Sequence, residues 1–138
     1  FWAPDVFICN DWQTSFVPTL LREQFKQEEF YSNMKSVYLI HSVNNYRMYS
    51  QTTYDMLGLT PNESGKLVDN HIMAIENSDL TIAINYESSQ LLDKLKKQKK
   101  LFETFESNNS MVLDIPKKTN PAVWKETSNT IESACRKL

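Results

Sequence analysis

Polar and aromatic side chains follow directly after the apolar runs that the sequence predicts as strands, and these residues could do chemistry. Residues 10–14 read N-D-W-Q-T after the first run, and residues 41–46 read H-S-V-N-N-Y after the second. Carboxylate, amide, imidazole and indole groups at such a spacing could hydrogen-bond to and stack against a carbohydrate. Asn, Asp and Ser are also ordinary turn and helix-cap residues, so residue type alone leaves both interpretations open.

The two histidines have different settings in the sequence. His41 ends a predicted strand and begins a loop, so its ring could donate to a sugar hydroxyl or be satisfied by nearby backbone. His71 lies in an apolar helical stripe, which predicts a packing role. The two histidines and two cysteines lie too far apart to form a metal motif. The sequence has no G-x-G-x-x-G, P-loop or nucleophile elbow, and we expect neither a metal nor a cofactor.

Four short runs of consecutive apolar residues predict strands that are covered on both faces, at residues 6–9, 37–40, 80–84 and 111–113. Helical patterns alternate with them, at about residues 14–29, 66–77, 88–107 and 126–137, with Thr14 or Ser15 as the first N-cap. Polar residues 42–53 and 60–65 are expected to be loops. This alternation predicts an α/β fold, a Rossmann-like three-layer sandwich with a parallel sheet of about four strands.

In such a sheet, ligands bind outside the carboxyl ends of the strands. The polar segments that follow the four predicted strands would therefore meet at one edge, and they are residues 10–14, 41–46, 85–88 and 114–116.

Composition bounds the class of protein. The chain has 138 residues, a formal net charge of −2 and 41% hydrophobic residues, which argues against disorder and against a nucleic-acid partner. No apolar run is long enough to predict a membrane span. Two glycines in the whole chain weigh against a phosphate-binding loop. Two cysteines predict reduced thiols in an intracellular protein. The first residue is Phe1 rather than Met, which fits a processed organelle protein (mitochondrion or plastid) or part of a longer chain, and leaves the cytoplasm open.

The segment P-D-V-F-I-C-N-D-W-Q-T at residues 4–14 resembles the starch and glycogen synthase family, in which a P-D strand ends in H-D-W-Q-T before a helix. The strand that ends at His41 is similar to that family's T-I-H-N-L-A-Y-Q-G segment. Residues 57–61, L-G-L-T-P, are similar to its L-G-L-P, and residues 75–84 resemble its stretch around A-D and T-V-S-P. Order and spacing agree over most of residues 4–92.

The resemblance implies half of a GT-B architecture, in which two Rossmann-like domains face a cleft. Such enzymes transfer glucose from ADP-glucose or UDP-glucose to the non-reducing end of an α-1,4-glucan, with retention and without a metal. Residues 1–138 would form a single partial N-terminal domain on the acceptor side. The resemblance places Asp11, Trp12, Gln13 and His41 at the substrate, with His41 as the candidate catalytic residue near the transferred glucose.

Several positions depart from the family pattern. Asn10 replaces the histidine before D-W, residues 43–47 replace L-A-Y-Q-G, and residues 85–86 replace S-P. The family's K-x-G-G-L loop and its nucleotide-binding second domain are not in this sequence. We therefore expect a domain that is not catalytic on its own and acts as a structural or accessory subunit with other protein subunits. Expected contact residues are Trp2, Phe7, Phe16 and residues 46–54.

Two alternatives remain open at the level of sequence. The chain could belong to an active starch or glycogen synthase, or it could bind α-glucan without transferring glucose.

Overall fold

The structure, a computed structural model, describes residues 4–61 and 65–138. Its elements in chain order are β1 (Val6–Asn10), α1 (Val17–Leu20), β2 (Lys35–Ile40), β3 (Met48–Tyr49), α2 (Gln51–Leu57), β4 (Val68–Asp69), α3 (Asn70–Asn77), β5 (Leu80–Tyr86), α4 (Leu91–Lys97), α5 (Lys99–Ser107), β6 (Ser110–Ile115) and α6 (Pro121–Cys135). Four of the strands form a parallel sheet in the order β1-β2-β5-β6. The predicted α/β class and its four-stranded parallel sheet are confirmed.

The sheet is built from the continuous apolar runs because it is covered on both faces. Tyr38 and Ile40 of β2 point to one side with Ala83, where α3, α4 and α5 cover them. Val37 and Leu39 point to the other side, where α6 packs. The architecture is therefore the predicted three-layer sandwich. The second helical layer is thin, because no residue of α6 is fully buried.

A smaller apolar cluster lies beside the main sheet, where β3 and β4 form an antiparallel pair. Its buried members are Tyr54, Leu59, Val68 and Met73, and Phe16 packs against them. β3 and the start of α2 lie within residues 42–53, which were predicted as loop, and β4 lies within the helix predicted over 66–77. Residues 62–64 of the other predicted loop lie outside the described residues. Phe7 and Phe16 are half-buried against interior clusters. Trp2 lies outside the described residues.

The predicted first helix is wrong in form. A 3₁₀ turn at Trp12–Thr14 precedes α1, and a π-helical turn at Leu21–Phe25 follows it. Ser15 does not act as an N-cap, because its hydroxyl donates to the Trp12 carbonyl at 2.7 Å and closes the 3₁₀ turn.

The other helices differ from prediction mainly at their ends. The helix predicted over 88–107 is broken at Gln98 (φ −99°, ψ 79°), which lets Leu95 and Leu101 both reach the same core. α3 begins only at Asn70, where the Asp69 carboxylate caps it. α6 begins at Pro121, earlier than predicted, because the Asn120 side chain caps it. Within the described ranges, no helix combines the length and apolarity needed to cross a bilayer.

Gly58 is the position where the fold requires a left-handed backbone. It ends α2 with φ 66°, and an added Cβ would meet Gln24 Nε2 at 3.3 Å. We expect Gly58→Ala to destabilise the domain by about 1 kcal/mol, because the left-handed conformation costs a non-glycine residue about that much. Urea unfolding measures the change. Gly65→Ala is the control, since Gly65 has no positive φ; equal losses in both variants would contradict this account.

Candidate functional site

Asp11 follows β1 at the carboxyl edge of the sheet and has an unusual backbone. Its φ is 57° and its ψ is −167°, a region that essentially only glycine adopts. The residue is 7% exposed. A conformation of this kind costs roughly 1–3 kcal/mol and persists only where surrounding contacts fix it. This strain is not predictable from the residue type, because aspartate is common in ordinary turns.

The contacts that hold Asp11 come from β2 and the loop after it. The Asp11 N–H donates to the Leu39 carbonyl at 2.8 Å. Its carboxylate accepts from the Ser42 hydroxyl at 2.8 Å and from the His41 N–H at 3.4 Å. The Asn44 side-chain amide donates to the same Ser42 hydroxyl at 2.9 Å. Residues 10–14 and 41–46, the two segments that the sequence singles out, are therefore joined by hydrogen bonds. Asp11 contacts the backbone N–H of His41 and not the His41 ring.

His71 supports this junction from α3, a role beyond the packing that its apolar stripe predicted. Its ring is fully buried, with Nδ1 2.6 Å from the Tyr38 hydroxyl and Nε2 3.0 Å from the Ser42 carbonyl. A carbonyl only accepts, so Nε2 carries the proton and Nδ1 accepts from Tyr38. Burial lowers the pKa of His71, and the nearby Asp69 and Asp11 carboxylates only partly oppose this. The 3.9 Å approach of Nε2 to Asp11 is therefore not an ion pair.

Arg47 and Asp69 form a buried ion pair below the loop. Arg47 Nε donates to the Asp69 carboxylate at 2.8 Å, and Nη1 donates to the Asn44 carbonyl at 2.5 Å. The other Asp69 oxygen accepts from the His71 N–H at 3.1 Å. One ion pair thus ties the loop after β2 to the start of α3. This pair is not predictable from local sequence, since 22 residues separate the partners.

Trp12 rests on a buried chain of hydrogen bonds. Its carbonyl accepts from the Ser15 hydroxyl, which accepts in turn from the Asn70 side chain at 2.6 Å. The Asn70 side-chain oxygen accepts from the Tyr54 hydroxyl at 2.7 Å. The backbone that carries the indole is therefore fixed from the interior.

The Trp12 indole itself is half-buried and stacks on Tyr46, with ring centroids 5.2 Å apart and planes inclined by 27°. Gln13 is exposed beside it. Both predicted residues therefore lie at the edge where Asp11 is held.

The His41 ring lies on the other side of this edge, facing α6. It stacks near Tyr86 at 6.1 Å and lines a cavity of about 550 Å³ between the sheet and α6. Burial lowers its pKa, and the Asp11 charge partly opposes the shift. Its Nε2 is buried and has no partner among the described residues. An unpaired buried polar atom costs about 1–3 kcal/mol of stability. His41 is therefore the residue of this edge whose hydrogen bonding is incomplete.

The polar residues at the carboxyl ends of β5 and β6 hydrogen-bond to each other. The Asn85 side-chain amide donates to Asp114 at 2.6 Å, and its oxygen accepts from the Leu92 N–H at 3.1 Å. Asn85 thus acts as a cap for α4, which is the ordinary structural use of asparagine. We define the rim as Asp11, Trp12, Gln13, His41, Ser42 and Asn44. Over residues 4–61 and 65–138, no group of three acidic, histidine or cysteine side chains could hold a metal ion.

Comparison with known proteins identifies the family to which the chain belongs. Residues 1–91 match the profile described as the starch synthase catalytic domain, and that range holds every rim residue. The chain belongs to the starch synthase catalytic domain family. It is 33% identical over 87 residues to a glycogen synthase of Clostridium kluyveri, covering 62% of this chain and 18% of that protein. It is 37% identical over 62 residues to a glycogen synthase of Chlorobium chlorochromatii, covering 45% of this chain and 12% of the relative.

A shorter match is stronger in identity. A glycogen synthase of Lachnospira eligens is 50% identical over 40 residues, 29% of this chain and 8% of that protein. The matched regions thus span less than a fifth of the length of these relatives. The resemblance read from residues 4–14 is confirmed, and the chain is a starch/glycogen synthase-like domain.

We expect the buried Arg47–Asp69 ion pair to contribute to the stability of the fold. Arg47→Met leaves the Asp69 carboxylate poorly solvated and unpaired, so we expect a loss of about 3 kcal/mol in the free energy of unfolding. Arg136→Ala removes an exposed pair with Glu132 and should cost less than about 0.5 kcal/mol. Urea denaturation compares the two variants. A loss below about 1 kcal/mol for Arg47→Met would show that the pair does not hold the loop.

Because His71 is buried in its neutral form, we expect the stability of the fold to depend on pH. The folded state keeps its ring neutral, whereas the unfolded chain binds a proton near pH 6.5, so stability falls as pH drops below that value. His41 acts in the same direction. We expect the unfolding free energy of the wild type to fall by about 1 kcal/mol more than that of His71→Gln between pH 7.0 and 5.5. Equal slopes in urea unfolding at these pH values would contradict the buried neutral ring.

Proposed function

We propose that this domain forms the acceptor side of a starch/glycogen synthase-like cleft and binds an α-1,4-glucan at the rim. The observation that carries the proposal is the strained Asp11, at the carboxyl edge of the sheet and inside the family-matched residues. Strain of this kind clusters at ligand and active sites. Ligands of open α/β sheets bind at the same edge.

The rim residues suit a sugar in different ways. Trp12 offers the part of its indole that Tyr46 leaves uncovered and Gln13 an exposed amide, which together match the apolar face and the hydroxyls of a pyranose. Asp11 keeps free lone pairs beyond the hydrogen bonds that it accepts. The partly exposed His41 ring lies at the same edge and lines the adjoining cavity, which supports His41 as the residue near the transferred glucose.

We further propose that the domain does not transfer glucose by itself. A sugar-nucleotide diphosphate needs concentrated positive charge in a dry site. Near the rim, the buried cation is Arg47, and Asp69 and the Asn44 carbonyl already engage it. His71 is neutral and already hydrogen-bonded on both nitrogens. The described rim can therefore grip a neutral sugar better than a diphosphate.

The thin second layer supports an accessory role within a larger assembly. On the α6 side, Ile8 of β1 is 53% exposed and Trp124 is 46% exposed beside the 550 Å³ cavity. Exposed apolar surface of this kind marks protein-contact sites. We propose a protein subunit as the partner on this side.

The alternative is that this domain works within an active synthase, with a second domain that supplies the nucleotide grip. The full coding sequence discriminates the two, because an upstream K-x-G-G-L and a downstream nucleotide-binding domain would favour the active enzyme.

Glucan binding tests the proposed rim. We expect maltopentaose to bind the isolated domain, and Trp12→Ala and His41→Ala each to weaken binding about tenfold or more by isothermal titration calorimetry. Phe30→Ala is the control, since Phe30 is 48% exposed and precedes β2 at the opposite end of that strand, and it should leave affinity within about twofold. Absence of binding by the wild type, or equal losses in Trp12→Ala and Phe30→Ala, would reject the acceptor role.

A transfer assay tests the second part of the proposal. The isolated chain is incubated with labelled ADP-glucose or UDP-glucose and maltopentaose, and incorporation into glucan is measured. We expect incorporation at background. Turnover well above background with either donor would show that the domain is catalytic on its own.

A further inference from the structure

Tyr46 is an exposed aromatic residue with a fixed position. Its side chain is 70% exposed, yet one face of its ring lies on the Trp12 indole at 5.2 Å. Offset stacking of this kind contributes roughly 0.5–1.5 kcal/mol and limits the rotamers that the ring can adopt. The other face of the ring is open to solvent.

The backbone that carries Tyr46 is anchored on both sides. Its N–H donates to the Asn44 side chain at 2.9 Å. The next residue, Arg47, is buried and binds Asp69 and the Asn44 carbonyl. The ring is therefore presented by a turn that the buried ion pair holds in place, and little freedom is left to lose on binding.

We propose that Tyr46 extends the acceptor rim and that one glucose ring of an α-1,4-glucan stacks on its solvent-facing side. This inference rests on the proposed function. A rigid, exposed tyrosine gives a large contact area at low entropic cost. Gln13 and Asn44 lie in the neighbouring rim segments as hydrogen-bonding groups for the hydroxyls at the edge of the same sugar. The flat ring with polar groups beside it fits a pyranose, which is apolar on its faces and polar around its edge.

The test is calorimetric titration of the isolated domain with maltopentaose. We expect Tyr46→Ala to weaken binding about tenfold and Tyr46→Phe to stay within about twofold, because the phenyl ring keeps the stacking surface. Phe30→Ala is the matched control, since Phe30 is 48% exposed and precedes β2, at the other end of the strand. Thermal unfolding of each variant checks that the fold is retained.

The possible outcomes separate this inference from the proposed function. If the wild type binds and Trp12→Ala does not, while Tyr46→Ala binds normally or more tightly, the inference is wrong and the acceptor role stands. If Tyr46→Ala changes only self-association in sedimentation, the ring serves a protein contact and the inference is again wrong. If the wild type does not bind maltopentaose, both are wrong.

Discussion

The positive φ of Asp11 is the constraint on which the rim depends. The chain leaves β1 and enters a 3₁₀ turn at once, and this sharp exit places the carboxylate against the loop after β2 and the indole against Tyr46. The strain of roughly 1–3 kcal/mol is offset by hydrogen bonds that Asp11 donates to the Leu39 carbonyl and accepts from His41 and Ser42, all residues of β2 and its loop. The strained residue and the loop that binds it therefore hold each other in place.

That loop is itself held from below by two buried polar contacts. His71 bridges the Tyr38 hydroxyl and the Ser42 carbonyl as a neutral ring, and Arg47 joins the Asn44 carbonyl to Asp69. Because buried polar groups are costly when unpaired, a satisfied network of this kind favours a single loop geometry. The rim is thus organised before any ligand arrives, which lowers the entropic cost of binding.

The sequence predicts those features of the fold that depend on residues close together in the chain, and it does not predict those that depend on contacts between distant residues. The four strands follow from apolar runs within a few residues of one another, and the N-D-W-Q-T segment follows from its likeness to a family. The break at Gln98 and the β3–β4 pair are set by tertiary packing, which periodicity does not report. The Arg47–Asp69 ion pair and the His71–Ser42 hydrogen bond join residues that are distant in sequence. No local sequence pattern around either residue indicates its partner.

The central claim is that the carboxyl edge of the sheet binds a neutral glucan. Amide chemical-shift mapping of the ¹⁵N-labelled domain with maltopentaose tests it most directly. The account predicts the largest shifts in residues 11–14 and 41–46, which carry the rim. Shifts confined to α6, with none in residues 11–14 and 41–46, or no shifts at saturating ligand, would contradict it.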